Sequence, residues 1–290
     1  MPQLIECVPN FSEGRDAAKI DAICRAVEAV PGVLLLDRHS DADHNRSVLT
    51  LAGPPEAVAE AAFRSVECAA ALIDLTKQRG AHPRIGAADV VPFIPIEGVA
   101  MEECAAIAER VGERIWDELR IPVFLYEAAA RRPERVKLEN VRRGQFEGLL
   151  AGRGMEPDIG DRVCHPTAGA VAVGARKFLI ACNVNLETAD LEVAKRIART
   201  IRFSSGGFRA VKAMGVTLAS RRLSQVSINL TDFEVTPLHT VLEAVRREAE
   251  GCGVKVAEIE IVGLAPRRAL EGCGGLPPNV ALEDRIADGR

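Results

Sequence analysis

The order of apolar runs and helical patterns along this sequence constrains its fold more strongly than any other feature. In the first half the order is strand, helix, strand, strand, helix, strand, and its members are residues 4–8, a helix from Asp16, 33–36, 47–51, a helix from Pro54, and 88–96. The second half repeats this order, and its members are residues 178–184, a helix marked by Leu191 and Ile201, a hairpin of 211–219 and 224–230, a helix after Pro237, and a strand around 259–261.

This twice-repeated order is typical of the split β-α-β arrangement, in which both helices cover one face of an antiparallel sheet. The sequence therefore predicts an α+β protein made of two ferredoxin-like (β-α-β-β-α-β) subdomains with antiparallel sheets. An additional helix near 102–119 and a strand at 122–126 follow the first copy. The two copies share the pattern and not their residues.

The stretch from Gly144 to Gly169 is rich in glycine, proline and polar residues, which is typical of a linker. We expect a first subdomain at 1–150, a linker with a ligand loop at 151–169, a second subdomain at 170–270, and a loose tail at 271–290. Two α/β layers joined in this way are expected to leave a cleft between them.

Composition and charge narrow the class of partner. The 290 residues are 48% hydrophobic and 27% charged, and the net charge of −4 argues against a nucleic-acid partner. The N-terminal residues contain no basic stretch followed by an apolar core, and no apolar run has membrane-spanning length. We therefore expect a cytoplasmic protein with no membrane partner.

The cysteines argue for a reducing compartment. All eight are scattered without a Cys-x-x-Cys pair, and several lie among apolar residues, as small buried hydrophobic side chains do. The sequence also contains no His-Glu-x-x-His motif and no His/Cys cluster, so we expect no metal.

The loop from Arg79 to Gly86 is the strongest candidate for chemistry. It places His82, one of five histidines, among glycine, proline and arginine, between a helical pattern and an apolar run. Such a histidine suits proton transfer, because the unperturbed pKa of imidazole lies near neutrality. From the residues alone, a tight turn with a surface histidine is an equally good interpretation.

Three further segments carry many functional groups between predicted core elements: residues 6–14, 37–46 and 157–169. The first could be a strand end followed by a helix cap, and the second a hairpin tip that needs only polarity. On the second-half hairpin, the amides of Gln225 and Asn229 share one face of the strand. That face is either solvated or a platform for a ligand.

Together these segments resemble the formiminotransferase family. The resemblance runs in register from about Gln3 to Leu270, through the motifs ECVPNFSEG, LLLDRHSDADHNRSVLTLAGPPE, KQRGAHPRIGAADVVPFIPIEG, VGARKFLIACNVNL and SQVSINLTDFEVTPLHTV. It implies two ferredoxin-like subdomains with a folate cleft. It also implies an enzyme of histidine degradation that moves a formimino group from N-formimino-L-glutamate to N5 of tetrahydrofolate, its co-substrate. The products would be 5-formimidoyltetrahydrofolate and L-glutamate.

The resemblance also implies roles for particular residues. The family's catalytic histidine, in the motif GxHPRxGAxDVxPFIP, corresponds to His82, a proton shuttle. Its folate-contacting loop corresponds to Gly160, Asp161, Arg162, Val163, Cys164, His165, Pro166, Thr167, Ala168 and Gly169. The chain differs from animal members, which have an aspartate at the position of His39 and a tryptophan at that of Ala168.

For the donor substrate we expect contacts from Asp37, His39, Asn45, Arg46, Gln225 and Asn229. A carboxylate such as Asp37 could stabilise the cationic amidinium. An arginine such as Arg46 could bind the glutamate carboxylates through paired hydrogen bonds.

Two alternatives to this activity are open at the level of sequence. One is transfer of a formyl group from N-formylglutamate, whose carbonyl is neutral. The other is a folate-binding protein without turnover. Family resemblance further leads us to expect a homodimer, and a separate cyclodeaminase is a candidate partner.

Overall fold

The computed structural model describes residues 3–289. The chain divides into two compact units, Met1–Arg176 and Lys177–Arg290. Each unit has its own sheet and its own apolar core, so the predicted α+β class with two sheets is confirmed. The boundary differs from the expected one, because residues 151–176 belong to the first unit.

The first unit is built on a seven-stranded sheet. Its strands are β1 (Leu4–Cys7), β2 (Asn10–Phe11), β3 (Leu34–Asp41), β4 (Arg46–Gly53), β5 (Ala88–Glu97), β6 (Val123–Glu127) and β7 (Val171–Ala175). Strand β1 pairs antiparallel with β4 and with β5, and β3 pairs antiparallel with β4. The pairs β5–β7 and β6–β7 are parallel, so this sheet is mixed and the expected antiparallel sheet is wrong here.

Helices of the first unit bury their apolar stripes in one core. They are α1 (Ala17–Glu28), α2 (Pro55–Leu72), α3 (Met101–Leu119), α4 (Leu138–Val141) and α5 (Gln145–Leu150). Helix α1 begins where the Asp16 carboxylate accepts hydrogen bonds from the N–H groups of Ala18 and Lys19. Helix α2 begins at Pro55. Proline is tolerated there because the first N–H groups of a helix have no acceptor within the helix.

The segment predicted as a linker is an integral part of the first unit. Its first residues form α5, whose Phe146 and Leu149 are buried in the core, and α4 with the buried Val141 comes shortly before it. Strand β7 then fills the space beside β5 and β6. Glycine and proline in this segment therefore mark close turns between packed elements and not a free connection.

The second unit is an antiparallel sheet of four strands. These are β8 (Ile180–Leu186), β9 (Val211–Leu218), β10 (Leu223–Leu230) and β11 (Val256–Val262), in the spatial order β11-β8-β10-β9. Helices α6 (Leu191–Ile201) and α7 (Leu238–Gly251) contribute their apolar faces to the same core. The predicted hairpin of β9 and β10 is confirmed.

The C-terminal residues are ordered, in contrast to the expected loose tail at 271–290. Helix α8 (Arg267–Leu270) ends just before this stretch, and α9 (Leu282–Gly289) lies within it. The N–H of Ala265 donates to the carbonyl of Val280, and the N–H of Leu282 donates to the carbonyl of Ala265. Leu282 and Ile286 are buried. Burial of these two apolar residues offsets the entropy that an exposed terminus would keep.

The cores of the two units contain apolar side chains and free thiols, and no disulfide forms among residues 3–289. Cys7, Cys24, Cys104, Cys164 and Cys182 are buried, and burial raises the pKa of Cys104 to about 11. No helix among the described residues combines the length and apolar character needed to cross a bilayer. In the same part of the chain, no group of three His, Cys, Asp or Glu side chains is placed to hold a metal ion.

Candidate active site

The His82 loop connects the end of α2 to the start of β5 and lies against the turn between β3 and β4. The N–H of Ala81 donates to the carbonyl of Asp43 at 3.2 Å, and the amide of Gln78 donates to the carbonyl of Asn45 at 2.9 Å. The loop and the turn are therefore joined through backbone atoms. Two polar segments that lie about forty residues apart in the sequence meet at one place.

Asn45 joins three segments at this place. Its side-chain oxygen accepts from the N–H of Gly14, and its amide nitrogen donates to the carbonyl of Arg79, each at 2.9 Å. The residue is buried and has a φ of 49°, a left-handed conformation that asparagine tolerates better than most residues. The side chain predicted to bind substrate thus binds the protein's own backbone.

The closest partner of His82 is the guanidinium of Arg46, on β4. Nη1 of Arg46 lies 2.6 Å from Nε2 of His82. Since a guanidinium has donors only, Nε2 must be the acceptor. The backbone of Pro83 also bonds the His82 ring, and because proline has no N–H the ring must donate to its carbonyl. These two contacts make His82 a neutral imidazole with its proton on Nδ1.

The environment of His82 opposes its protonation. Burial is the main cause that holds the pKa of His82 well below its ordinary value of 6.5, and the cations of Arg46 and Arg142 lower it further. Burial also lowers the pKa of Arg46, to about 9, with a contribution from Arg142. At neutral pH the pair is therefore a neutral imidazole beside a charged guanidinium.

A small pocket lies beside this pair, with room for about one water molecule. Its lining consists of Phe11, Ser12, His44, Asn45, Arg46, Gln78, His82, Arg84 and Asp89. The rings of His44 and His82 are 6.2 Å apart. The structure thus brings His82 together with Asn45 and Arg46 from the predicted donor-binding set.

Four charged residues around the pocket were missed in the sequence. The buried carboxylate of Asp89 accepts from the N–H of Ile85 at 2.8 Å and pairs with Arg142. The buried guanidinium of Arg84 pairs with Glu147 at 2.9 Å. The family motif around His82 contains the position of Asp89, so that residue could have been found. Glu147 lies in the stretch predicted as a linker and Arg142 lies two residues before it, and neither position carries a sequence signal for a site.

Guanidinium groups around the pocket have donors to spare. The buried Nε atoms of Arg46, Arg84 and Arg142 have no hydrogen-bond partner among the described residues. Unsatisfied buried donors are costly, and a ligand with anionic oxygens would satisfy them. The site is suited to a carboxylate.

The predicted folate loop, 160–169, begins exposed and ends against the His82 loop. Residues 161–163 are exposed, and the side chain of Val163 is 81% exposed. At the other end, the N–H of Ala87 donates to the carbonyl of Ala168, and the N–H of Ala170 donates to that of Ile85. The two loops named by the resemblance are thus joined by backbone hydrogen bonds.

His165 stabilises the end of this loop from within. Its N–H and carbonyl exchange hydrogen bonds with Gly169 at 2.9 Å, and its Nδ1 accepts from the N–H of Ala168 at 3.0 Å. Burial lowers the pKa of His165, which favours the neutral ring that this acceptor role requires.

Four predicted donor-binding residues do not line the His82 pocket. Asp37 and His39 lie on β3, opposite Thr50 and Val48 of β4. Gln225 and Asn229 lie on β10, in the second unit. Gln225 is buried and its amide donates to the side-chain oxygen of Asn185 at 2.9 Å, whereas Asn229 is exposed.

Comparison with known proteins agrees with this arrangement. Residues 4–176 match the family model described as "Formiminotransferase domain, N-terminal subdomain", and residues 181–275 match "Formiminotransferase domain". The chain belongs to the formiminotransferase family. Each matched range lies within one of the two units of the structure.

Several relatives are similar over most of this chain. A glutamate formimidoyltransferase of Streptococcus pyogenes serotype M1 is 50% identical, across 93% of this chain and 91% of the relative. One from Thermoplasma acidophilum is 44% identical, across 92% and 89%. A formimidoyltransferase-cyclodeaminase of Mus musculus is 46% identical across 93% of this chain, which spans 51% of the mouse protein.

Proposed function

We propose that this protein is a transferase that moves the formimino group of N-formimino-L-glutamate to N5 of tetrahydrofolate. The observation that carries the proposal is the neutral His82 ring, whose Nε2 accepts from Arg46 in a pocket rich in guanidinium groups. Family membership and the names of the bacterial and archaeal relatives support the same activity.

His82 is the base in the first half of the reaction and the acid in the second. N5 of tetrahydrofolate attacks the amidine carbon, and Nε2 of His82 takes the proton that N5 loses. The imidazolium then gives this proton to the glutamate nitrogen as the bond between that nitrogen and the amidine carbon breaks. The products are 5-formimidoyltetrahydrofolate and L-glutamate, and His82 is neutral again.

Arg46 is placed to bind a carboxylate of the donor. It lines the pocket, stays charged at neutral pH, and has a buried Nε without a partner among residues 3–289. A substrate oxygen that accepts from Arg46 would also free the lone pair of His82 Nε2 for the proton of N5. Binding of the donor would in this way activate the base.

The remaining assignments are further parts of the proposal. Asp37 stabilises the amidinium, Asn45 supports the site through the backbone, and His39, Gln225 and Asn229 contact substrate. Residues 160–169 contact folate, and the hydrogen bonds to the His82 loop support this placement. The co-substrate requires no metal.

For the fold, we infer a ferredoxin-like arrangement in each unit. The order β3-β4-β1-β5 in the first and β9-β10-β8-β11 in the second support it, with β7 and β6 added beyond β5. We further propose a cytoplasmic homodimer in histidine degradation, working with a separate cyclodeaminase. Relatives in which both activities share one chain support that last partner.

The test is a transfer assay with the purified protein, tetrahydrofolate and N-formimino-L-glutamate, run beside the same assay with N-formyl-L-glutamate. We expect turnover with the formimino donor and little with the formyl donor. Turnover with only the formyl donor would show that the donor is N-formyl-L-glutamate and would leave the proposed role of His82 unchanged. Tight folate binding without turnover on either donor would contradict the enzyme and favour a folate-binding protein.

A further inference from the structure

Residues 138–150, here termed the α4–α5 segment, are attached to the His82 loop by three contacts. Arg142 pairs with Asp89, and Glu147 pairs with Arg84 at 2.9 Å. The N–H of Phe146 donates to the carbonyl of Arg84 at 2.9 Å. The α4–α5 segment therefore holds both ends of the stretch from Arg84 to Asp89, directly after His82.

Asp89 is the centre of this attachment. Its side chain is buried, with one oxygen on the N–H of Ile85 and the other on Nη2 of Arg142. The first contact closes the loop onto the start of β5, and the second joins the loop to the α4–α5 segment. A buried carboxylate needs such partners, because the loss of water is otherwise uncompensated.

Arg142 also adds a positive charge near His82. The charged and titratable groups around the ring come from several elements: Arg46 from β4, His44 from the turn before it, Arg84 from the loop, Asp89 from β5, Arg142 after α4, and Glu147 on α5. The guanidiniums outnumber the carboxylates. The positive charge of Arg142 disfavours the imidazolium form of His82.

We propose that Asp89 and Arg142 form a positioning pair, which fixes the His82 loop on β5, orients the ring for proton transfer and adds a cation to its surroundings. The pair touches no reacting atom and acts through His82. This proposal rests on the proposed function, because the proton transfer that the pair supports is a step of the formimino transfer described above.

The test compares variants at this pair with a matched neighbour. Arg142→Gln removes the cation, Arg142→Lys keeps it, and Asp89→Asn with Arg142→Gln leaves neither charge unpaired. The control is Arg143→Gln, which removes an exposed arginine that donates to Asn140 at 3.3 Å on the same segment. Each variant is assayed for kcat and for KM of both substrates from pH 5 to pH 8.

We expect Arg142→Gln to lower kcat by about tenfold to a hundredfold, as small displacements of a catalytic group do, with little change in the KM for tetrahydrofolate. Its acid limb in kcat/KM moves to higher pH, because the ring loses a nearby cation. Arg142→Lys keeps the acid limb near that of the wild type. Arg143→Gln leaves both quantities unchanged.

A second readout is independent of activity. The His82 ring proton is assigned in NMR spectra by its absence in His82→Gln, and its titration midpoint is measured in each variant. A higher midpoint in Arg142→Gln, with no change in Arg143→Gln, supports the pair. An unchanged midpoint overturns it, whatever the assay gives.

The two proposals can fail separately. An inactive wild type whose His82 midpoint still rises in Arg142→Gln contradicts the formimino transfer and supports the pair. An active wild type with unchanged kcat and acid limb in the Arg142→Gln and double variants contradicts the pair alone. If Arg142→Gln does not fold by circular dichroism, the double variant tests the positioning role through kcat, because it removes the contact between residues 89 and 142 without leaving a buried charge unpaired.

Discussion

At the scale of single residues, His82 is neutral because its surroundings disfavour its charge. Burial, Arg46 and Arg142 all lower its pKa, and the acceptor role of Nε2 fixes the proton on the other nitrogen. A ring of this kind is available as a base at neutral pH. Once protonated, it is a strong acid for the departing nitrogen, so one residue can serve both steps.

Replacement of His82 by glutamine is expected to lower kcat by about 10²–10⁴-fold, because the amide keeps a polar group but transfers no proton. Folate affinity should be retained, since residues 160–169 are unchanged. The measurement is steady-state transfer together with equilibrium binding of tetrahydrofolate. His239→Gln, on α7, is the matched control and should have wild-type activity. Wild-type turnover in His82→Gln would rule out the shuttle.

Replacement of Arg46 by glutamine should change two quantities at once. The KM for the donor should rise about tenfold or more, because a charge-assisted hydrogen bond to a carboxylate is lost. The pKa of His82 should rise, since a neighbouring cation is removed, so the acid limb of kcat/KM moves up in pH. Arg46→Lys should keep that limb. An unchanged donor KM would contradict the carboxylate contact.

Asn45 shows that the type of a residue does not by itself determine its role. A polar residue in a dense polar segment was expected to contact substrate, and Asn45 lies in the lining of the His82 pocket. Its side-chain atoms, however, bond Gly14 and Arg79 of the backbone. Residue type indicates which hydrogen bonds are possible, but the neighbours that make them come from other parts of the chain.

At the scale of elements, periodicity located the long helices and strands. The apolar run at 88–96 is β5, and the stripe after Pro54 is α2. The prediction was weaker at ends and in short elements. Helix α7 begins at Leu238, and the nearby Thr236 does not cap it, because its hydroxyl donates to the carbonyl of Arg209. Helices α4 and α5 are too short to show a period.

The start of the folate loop offers a test at this scale. Gly160 has a φ of +94°, and a Cβ there would lie 2.4 Å from the ring of Trp116. Gly160→Ala should displace the loop and raise the KM for tetrahydrofolate severalfold, with little change in the donor KM. Gly152→Ala is the control, because Gly152 also has a positive φ, +68°, with open space around it.

Substrate binding to both glycine variants can be followed by steady-state kinetics and by the fluorescence of Trp116, the chain's only tryptophan. Strain from a positive φ is common to the two variants, so a difference between them reports the contact with Trp116. Equal KM values for tetrahydrofolate in the two variants would show that the contact between residue 160 and Trp116 does not affect folate binding.

At the scale of the whole molecule, the half-buried His82 couples stability to pH. Its folded pKa lies well below the unfolded value of 6.5, so in the window between them the unfolded chain binds more protons. The free energy of unfolding therefore falls as pH falls through this window, by at most about 1.4 kcal/mol per pH unit for one proton. Above about pH 6.5 this contribution is constant.

Urea denaturation of the wild type and of His82→Gln from pH 5 to pH 8 measures this coupling. The difference in unfolding free energy between the two proteins should be constant above pH 6.5. Below that pH the wild type should lose stability relative to the variant. Parallel curves across the whole range would show that His82 is protonated equally in both states.

Much of the whole fold and site followed from local signals. Periods of two and 3.6 residues identify strands and helices because each side chain faces the core or the solvent locally. The motif around His82 and the resemblance of five segments gave the family and the histidine that we propose as the proton shuttle. All of these signals lie within a few tens of residues.

Other features came only from tertiary structure. The parallel pairing of β7 with β5 and β6, the packing of α9, and the contacts of Arg142 and Glu147 with the His82 loop join residues that are distant in sequence. Pairing of this kind leaves no local period, because it depends on where the folded chain brings each segment. Composition alone therefore made residues 144–169 resemble a linker, although they include helix α5, which packs in the core, and form hydrogen bonds with the His82 loop.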